Sequence, residues 1–77
     1  MTRYYFDLHD TLGVWPDEEG MDMATLEAAE DEAALTLAQM VQSDLVGKRR
    51  HRVAVQVRTA DGPLFEAAVT FELKPLY

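Results

Sequence analysis

The chain opens with a run in which polar and apolar side chains alternate. Every second residue from Tyr4 to Leu8 is apolar, and aromatic residues dominate the run. This pattern is typical of a strand with one buried face. The strand is predicted to span Thr2 to His9. Its buried face is predicted to hold Tyr4, Phe6 and Leu8, and its outward face Arg3, Tyr5, Asp7 and His9.

Turn and loop residues follow this strand. Residues 10–13 predict a turn, and Val14 with Trp15 predicts a short second strand. Pro16 ends that strand, because proline has no N–H to donate to a sheet. The stretch from Asp17 to Asp22 is predicted to be an acidic loop.

The pattern then changes to the spacing of an amphipathic helix, from about Ala24 or Thr25 to Leu45. Either Thr25 or Asp22 could cap its first turn, and Gly47 is placed to end it. Acidic residues crowd its first turns and Lys48 to Arg50 follow its end, as the helix dipole favours. The buried stripe is predicted to be Leu26, Ala29, Ala33, Leu37, Met40 and Val41.

Two further strands form a predicted hairpin. Their apolar faces match if Val53, Val55 and Val57 lie opposite Val69, Ala67 and Phe65. That register leaves a three-residue loop, 60–62, between Thr59 and Pro63, with Gly62 in a left-handed conformation. Phe71 and Leu73 continue the inner face of the second strand.

These elements predict one domain, residues 1–77, of the α+β class. One long helix would pack on a three- to four-stranded, mostly antiparallel sheet in the order β(β)αββ. A chain of 77 residues buries little surface, and without cysteine it has no disulfides. Dimerisation is the expected source of further buried area.

The charge is strongly divided along the chain. The net charge is −7, ten acidic residues lie between Asp7 and Glu32, and no Lys or Arg lies between Tyr4 and Gly47. An acidic protein is poorly suited to bind nucleic acid or an anionic membrane. No secretory signal or membrane-span pattern is visible, so we expect a cytoplasmic protein.

Three groups of polar residues are candidate sites. Loop carboxylates beside a histidine could bind a hard cation, although their spacing matches no calcium loop; these are Asp7, His9, Asp17, Glu18 and Glu19. His9 or His51 could act in acid–base catalysis. Arg49, Arg50 and Arg52 could bind an anion. Their positive charge is better explained by the negative C-terminal end of the helix and by cross-strand pairs such as Arg50 with Glu72. We therefore predict no enzyme activity, no cofactor and no metal.

Apolar residues outside the predicted core indicate a contact with another protein chain. Leu35 points away from the helix stripe, and Trp15 and Tyr5 could join it in one surface. Glu27 and Asp31 would add acidic charge that attracts a basic partner. The outer edge of strand 64–73 is a rival surface for a homodimer, because an unpaired edge can add a strand from a second chain.

The short motifs resemble those of a family of small bacterial domains of unknown function. The resemblance lies in Arg3-Tyr4-Tyr5-Phe6-Asp7, Asp17-Glu18-Glu19-Gly20, Leu26-Glu27-Ala28-Ala29, Asp61-Gly62 and Thr70-Phe71-Glu72. It implies a compact cytosolic α+β unit and transfers no catalytic residue. We interpret Asp7 as an acceptor of backbone hydrogen bonds from the loop and Gly20 as a left-handed turn residue.

The run Thr25-Leu26-Glu27-Ala28-Ala29 also resembles antitoxin domains of the HicB type. Two strands follow the helix here, where that family shows fewer before its DNA-binding tail, and no such tail is visible. The function predicted from the sequence is a non-enzymatic module for protein interaction or self-association with an acidic face. The alternatives are a small metal- or ligand-binding protein and an antitoxin-like acidic protein that masks a basic partner.

Overall fold

A computed structural model describes residues 1–44 and 50–77 of the chain. It confirms the α+β class, with one helix and a mostly antiparallel sheet of five strands. The elements are β1 (Thr2–Asp10), β2 (Gly13–Trp15), β3 (Met21–Met23), α1 (Leu26–Asp44), β4 (Arg50–Thr59) and β5 (Gly62–Glu72). The sequence did not predict the short strand β3, which replaces the end of the predicted acidic loop from Asp17 to Asp22.

The sheet has the order β2-β1-β4-β5, and β3 also pairs with β1. All of these pairs are antiparallel. The central pair places Phe6 opposite Val57 and Leu8 opposite Val55. The predicted faces of β1 are therefore confirmed, since Tyr4, Phe6 and Leu8 belong to or pack against the core.

Helix α1 packs on one face of the sheet, against β4 and β5. Ala29 and Ala33 are completely buried, and their small side chains let the helix backbone approach the valines of β4 closely. Leu37 and Met40 complete the buried stripe as predicted. Leu26 does not, because 46% of its surface is exposed. It is the first helical residue, and a helical side chain leans toward the N-terminus, where no earlier turn covers it.

The start of the helix resolves the choice between two caps. The N–H of Ala28 donates a hydrogen bond of 3.1 Å to Oγ1 of Thr25, so Thr25 is the N-cap. At the other end, the predictions for Leu45, Gly47, Lys48 and Arg49 fall outside the described residues.

The hairpin of β4 and β5 has the predicted pairs but a different loop. Val53, Val55 and Val57 lie opposite Val69, Ala67 and Phe65, as their hydrophobicity required. The predicted three-residue loop is wrong, because Thr59 pairs with Gly62 and the turn contains two residues, 60 and 61.

One extra residue on β5, Leu64, reconciles the tight turn with the register. It lies between Pro63, opposite Arg58, and Phe65, opposite Val57. This β-bulge restores the phase that turns Phe65 toward the helix. Gly62 has a φ of +120°, in agreement with the predicted positive φ.

Within residues 1–44 and 50–77, the structure contains no helix that is both long and apolar enough to cross a membrane.

Candidate functional site

The side chain of Asp17 organises the loop that precedes β3. Its Oδ1 accepts hydrogen bonds of 3.1 Å from the backbone N–H groups of Glu19 and Gly20. Its Oδ2 accepts a third bond, also 3.1 Å, from the N–H of Phe6 in β1. One carboxylate thus folds its own loop and fastens that loop to the sheet.

Asp7 and Arg58 hold the same loop from the outer face of the sheet. Oδ1 of Asp7 accepts a 2.8 Å bond from the N–H of Asp17, and its Oδ2 accepts one of 2.8 Å from Nε of Arg58. Nη2 of Arg58 donates to the carbonyl oxygen of Asp17 at 2.8 Å. The guanidinium lies over the ring of Tyr5, 4.5 Å from its centroid. We call these four residues, Tyr5, Asp7, Asp17 and Arg58, the loop clamp.

Gly20 lies where the loop touches the strand. Its φ is +74°, and a Cβ atom built there would lie 2.8 Å from Cγ of Arg3 and 2.9 Å from Cε1 of Tyr5. Arg3 fixes the next residues, donating 2.7 Å to the carbonyl oxygen of Glu19 and pairing with both carboxylate oxygens of Asp22. The interpretation of Asp7 as a backbone acceptor and of Gly20 as a left-handed turn residue is confirmed.

Only two of the candidate cation ligands lie close together in the structure. Asp7 and Asp17 come together, but their oxygens already accept hydrogen bonds from Arg58 and from backbone N–H groups. Glu18 and Glu19 are exposed, and His9 lies opposite Ala54 on β4. In the described part of the chain, no three carboxylate or imidazole groups form a cluster suited to a metal ion.

The carboxylates of the clamp have depressed pKa values. Burial raises the pKa of Asp7. The hydrogen bonds from Arg58 and Asp17 and the charge of Arg58 lower that pKa by more than burial raises it. Burial also raises the pKa of Asp17, but the hydrogen bonds from the N–H groups of Gly20, Phe6 and Glu19 lower it by more. Both carboxylates therefore favour the charged form more in the folded state than in the unfolded chain.

This difference makes stability depend on pH. A depressed pKa stabilises the fold above the unfolded value of about 3.9, and that stabilisation is lost as pH falls through the folded pKa. We expect the melting temperature to drop between about pH 5 and pH 2 at constant ionic strength. Arg58→Gln should flatten the drop. Asp22→Asn should leave the profile nearly unchanged, because the Arg3–Asp22 pair is exposed. A profile unaffected by Arg58→Gln would contradict this assignment.

The arginine side chains of β4 that the structure describes form ion pairs with residues of the neighbouring strands. Arg52 pairs with Glu66, and Nε2 of Gln56 donates 3.1 Å to the other oxygen of that carboxylate. Arg50 lies opposite Glu72, as predicted. Arg49 lies outside the described residues, as do the side chains of Arg50 and His51. The cross-strand explanation is therefore confirmed for Arg52.

The two edges of the sheet differ. The edge formed by β1 is covered along its length by other parts of the chain. Strand β3 pairs with residues 2–4, and β2 pairs with residues 8–10. Between them, Asp17 accepts the N–H of Phe6. The loop clamp therefore also closes the gap between the two short strands.

The edge of β5 is open over most of its length. Strand β5 lies at the end of the sheet order, so no strand adjoins its far side in the described part of the chain. Proline and bulges blunt sheet edges, and here Pro63 and Leu64 occupy the start of the strand. Residues 65–71 beyond them form a regular run whose inner face is half-buried. We call residues 65–71 the open edge.

The predicted partner residues lie on separate surfaces. Leu35 is 56% exposed on α1, where Glu27 and Asp31 are also exposed. Trp15 is 50% exposed. It lines a shallow groove of about 450 Å³ between β1, β2 and α1, together with Leu8, Asp10, Thr36, Gln39, Met40 and Ser43. Tyr5 lies on the opposite face of the sheet, under Arg58. The three aromatic and aliphatic candidates therefore do not form one surface.

Comparison with protein-family models identifies a family that matches this chain. Residues 3–70 match the model of a protein family described as a domain of unknown function, DUF6894. The matched span covers the loop clamp and residues 65–70 of the open edge. No curated protein and no solved structure gives a significant match to the chain.

Proposed function

The chain belongs to the family described as domain of unknown function DUF6894, and we propose that it is a non-enzymatic module that associates with a second copy of itself. The contact is the open edge of β5. The observation that carries this proposal is the contrast between the edges of the sheet. Two short strands and the Asp17 carboxylate cover the edge of β1, whereas no strand within residues 1–44 and 50–77 covers the outer side of residues 65–71 of β5.

Backbone groups at a strand edge favour the addition of another strand. Alternate N–H and C=O groups of an edge strand point away from the sheet, and pairing them with a second chain forms ladder hydrogen bonds. Strand addition also covers side chains beside the edge. Phe65, Val69 and Phe71 on the inner face of β5 are half-buried in the single chain, so a second copy would remove further apolar surface from water.

The charge of the chain opposes association and predicts its dependence on salt. Two copies with a net charge of −7 each repel one another, and salt screens this repulsion. Dimerisation through the open edge should therefore strengthen with ionic strength. A contact between the acidic face and a basic partner would weaken instead, because salt screens attraction equally.

The test is the molar mass in solution, measured by size-exclusion chromatography with light scattering at two protein concentrations and two salt concentrations. The wild-type chain is expected to shift from monomer to dimer as concentration rises, more readily at high salt. The variant Ala68→Lys places a charge on the open edge and should remain monomeric. Glu18→Gln makes the same change of one charge unit in the exposed loop, and it should dimerise like the wild type.

Two results would overturn the proposal. A wild-type monomer at high concentration and high salt would show that the edge does not self-associate. Equal dimerisation of the edge variant, with loss of the dimer in Glu18→Gln, would move the contact to the acidic face.

A further inference from the structure

We infer that the two copies join as an antiparallel pair of β5 strands centred on Ala68, which forms one continuous sheet of both chains. This inference rests on the proposed self-association through the open edge and specifies its register. In that register, Ala68 of each copy lies beside Ala68 of the other on the twofold axis.

Side-chain alternation restricts the possible registers. In an antiparallel pair, residues directly opposite each other point to the same face of the sheet. The inner face of β5 carries Phe65, Val69 and Phe71 on odd positions, and the outer face carries Glu66 and Thr70 on even positions. Opposed residues must therefore both be odd or both be even, so the centre of the pair falls on a residue and not between two residues.

The length of the regular strand restricts the choice further. The bulge at Leu64 interrupts the strand at one end, and β5 ends at Glu72. Centres at residues 68 and 69 each pair seven residues within 65–72. Centres at 67 and 70 pair only five residues each, so fewer side chains pack across the pair.

Charge and aromatic packing decide between the two longest registers. A centre at 69 would place Glu66 opposite Glu72 of the second copy, and directly opposed like charges destabilise a sheet. A centre at 68 places Glu66 opposite Thr70 instead. It also places Phe65 opposite Phe71 twice, once at each end of the paired run, and cross-strand aromatic pairs are favourable.

Cysteine trapping tests the register directly, because the natural chain contains no cysteine. Ala68 is exposed on the outer face, so Ala68→Cys should not disturb the core. Directly opposed residues have Cα atoms about 4.5–5.5 Å apart, within the range that a disulfide spans. We expect Ala68→Cys to form a covalent dimer under mild oxidation, visible by non-reducing electrophoresis.

Matched single-cysteine variants distinguish the other registers. In the proposed pair, residue 70 lies opposite residue 66, so the two copies of Thr70→Cys are offset by about 13 Å and should not cross-link. A mixture of Glu66→Cys and Thr70→Cys should give the mixed disulfide. Cross-linking of Thr70→Cys alone would indicate a centre at 70, and preferential cross-linking of Ala68→Cys with Thr70→Cys would indicate a centre at 69. Either result overturns the inference.

The molar mass of the reduced variants separates this test from that of the proposed function. A reduced dimer in which Ala68→Cys fails to cross-link refutes the register and leaves self-association intact. A reduced monomer at every concentration refutes both.

Discussion

Replacing Asp17 with alanine is expected to lower the free energy of unfolding by about 3 kcal/mol. The change removes the acceptor of three backbone N–H groups, those of Phe6, Glu19 and Gly20. Hydrogen bonds to a charged group contribute about 1.5–3 kcal/mol each. The sum is reduced because Asp17 is half-buried and water can reach part of the loop.

Urea unfolding followed by circular dichroism measures this loss. Glu18→Ala removes the same charge from the exposed neighbouring residue, and it should change stability by less than about 0.5 kcal/mol. Asp17→Asn should restore part of the loss, because its amide oxygen can still accept the N–H groups of Glu19 and Gly20, while its NH2 group would face the N–H of Phe6. A loss below about 1 kcal/mol for Asp17→Ala would contradict the role of this side chain in fastening the loop.

Gly20→Ala is expected to cost about 2–3 kcal/mol for two reasons that add. An L-residue at a φ of +74° is strained by about 1–2 kcal/mol. The new Cβ would also lie 2.8 Å from Cγ of Arg3 and 2.9 Å from Cε1 of Tyr5, so both side chains must move. Moving Tyr5 disturbs its contact with Arg58 and thereby the loop clamp.

Asparagine at the same position separates the two causes. It tolerates the left-handed region better than alanine does but carries the same Cβ atom. If the steric contact dominates, Gly20→Asn should destabilise nearly as much as Gly20→Ala. Full stability of Gly20→Asn would show that backbone strain alone requires glycine. The melting temperatures of both variants beside the wild type provide the measurement.

Dependence of the fold on Asp17 and Gly20 would account for the Asp17-Glu18-Glu19-Gly20 motif as a structural feature. The loop carries ionisable groups, yet Asp17 uses both of its oxygens to accept backbone N–H groups. A motif of this kind is easily mistaken for a cation site from its sequence. The direction of its hydrogen bonds, from backbone to carboxylate, is what distinguishes the two.

The prediction of the hairpin shows where sequence reasoning succeeded and where it stopped. The hydrophobic pattern correctly placed Val57 opposite Phe65, because a shift by one residue would turn every apolar side chain to water. It could not distinguish a three-residue loop from a two-residue turn with a bulge at Leu64. Both solutions preserve the same inner face, and the difference lies in backbone geometry that periodicity does not report.

Neither the short strand β3 nor the exposure of Leu26 could be predicted from the sequence, and the reasons are related. Met21–Met23 is too short to show a period, and its pairing with residues 2–4 depends on a loop fastened by Asp17. Leu26 has the helical phase of the buried stripe, but phase does not show whether another element lies over the first turn.

By itself, the sequence determined the class of the fold, the faces of β1 and α1, and the pairs of the β4–β5 hairpin. Each of these follows from local periodicity, because burial of one face imposes a repeat on the chain. The tertiary structure alone decided how Asp7, Asp17 and Arg58 meet and which edge of the sheet remains open. The first outcome depends on contacts between residues up to 51 positions apart. The second depends on the backbone N–H and C=O groups at a strand edge, which nearly every residue type carries, so the sequence does not distinguish an open edge from a covered one.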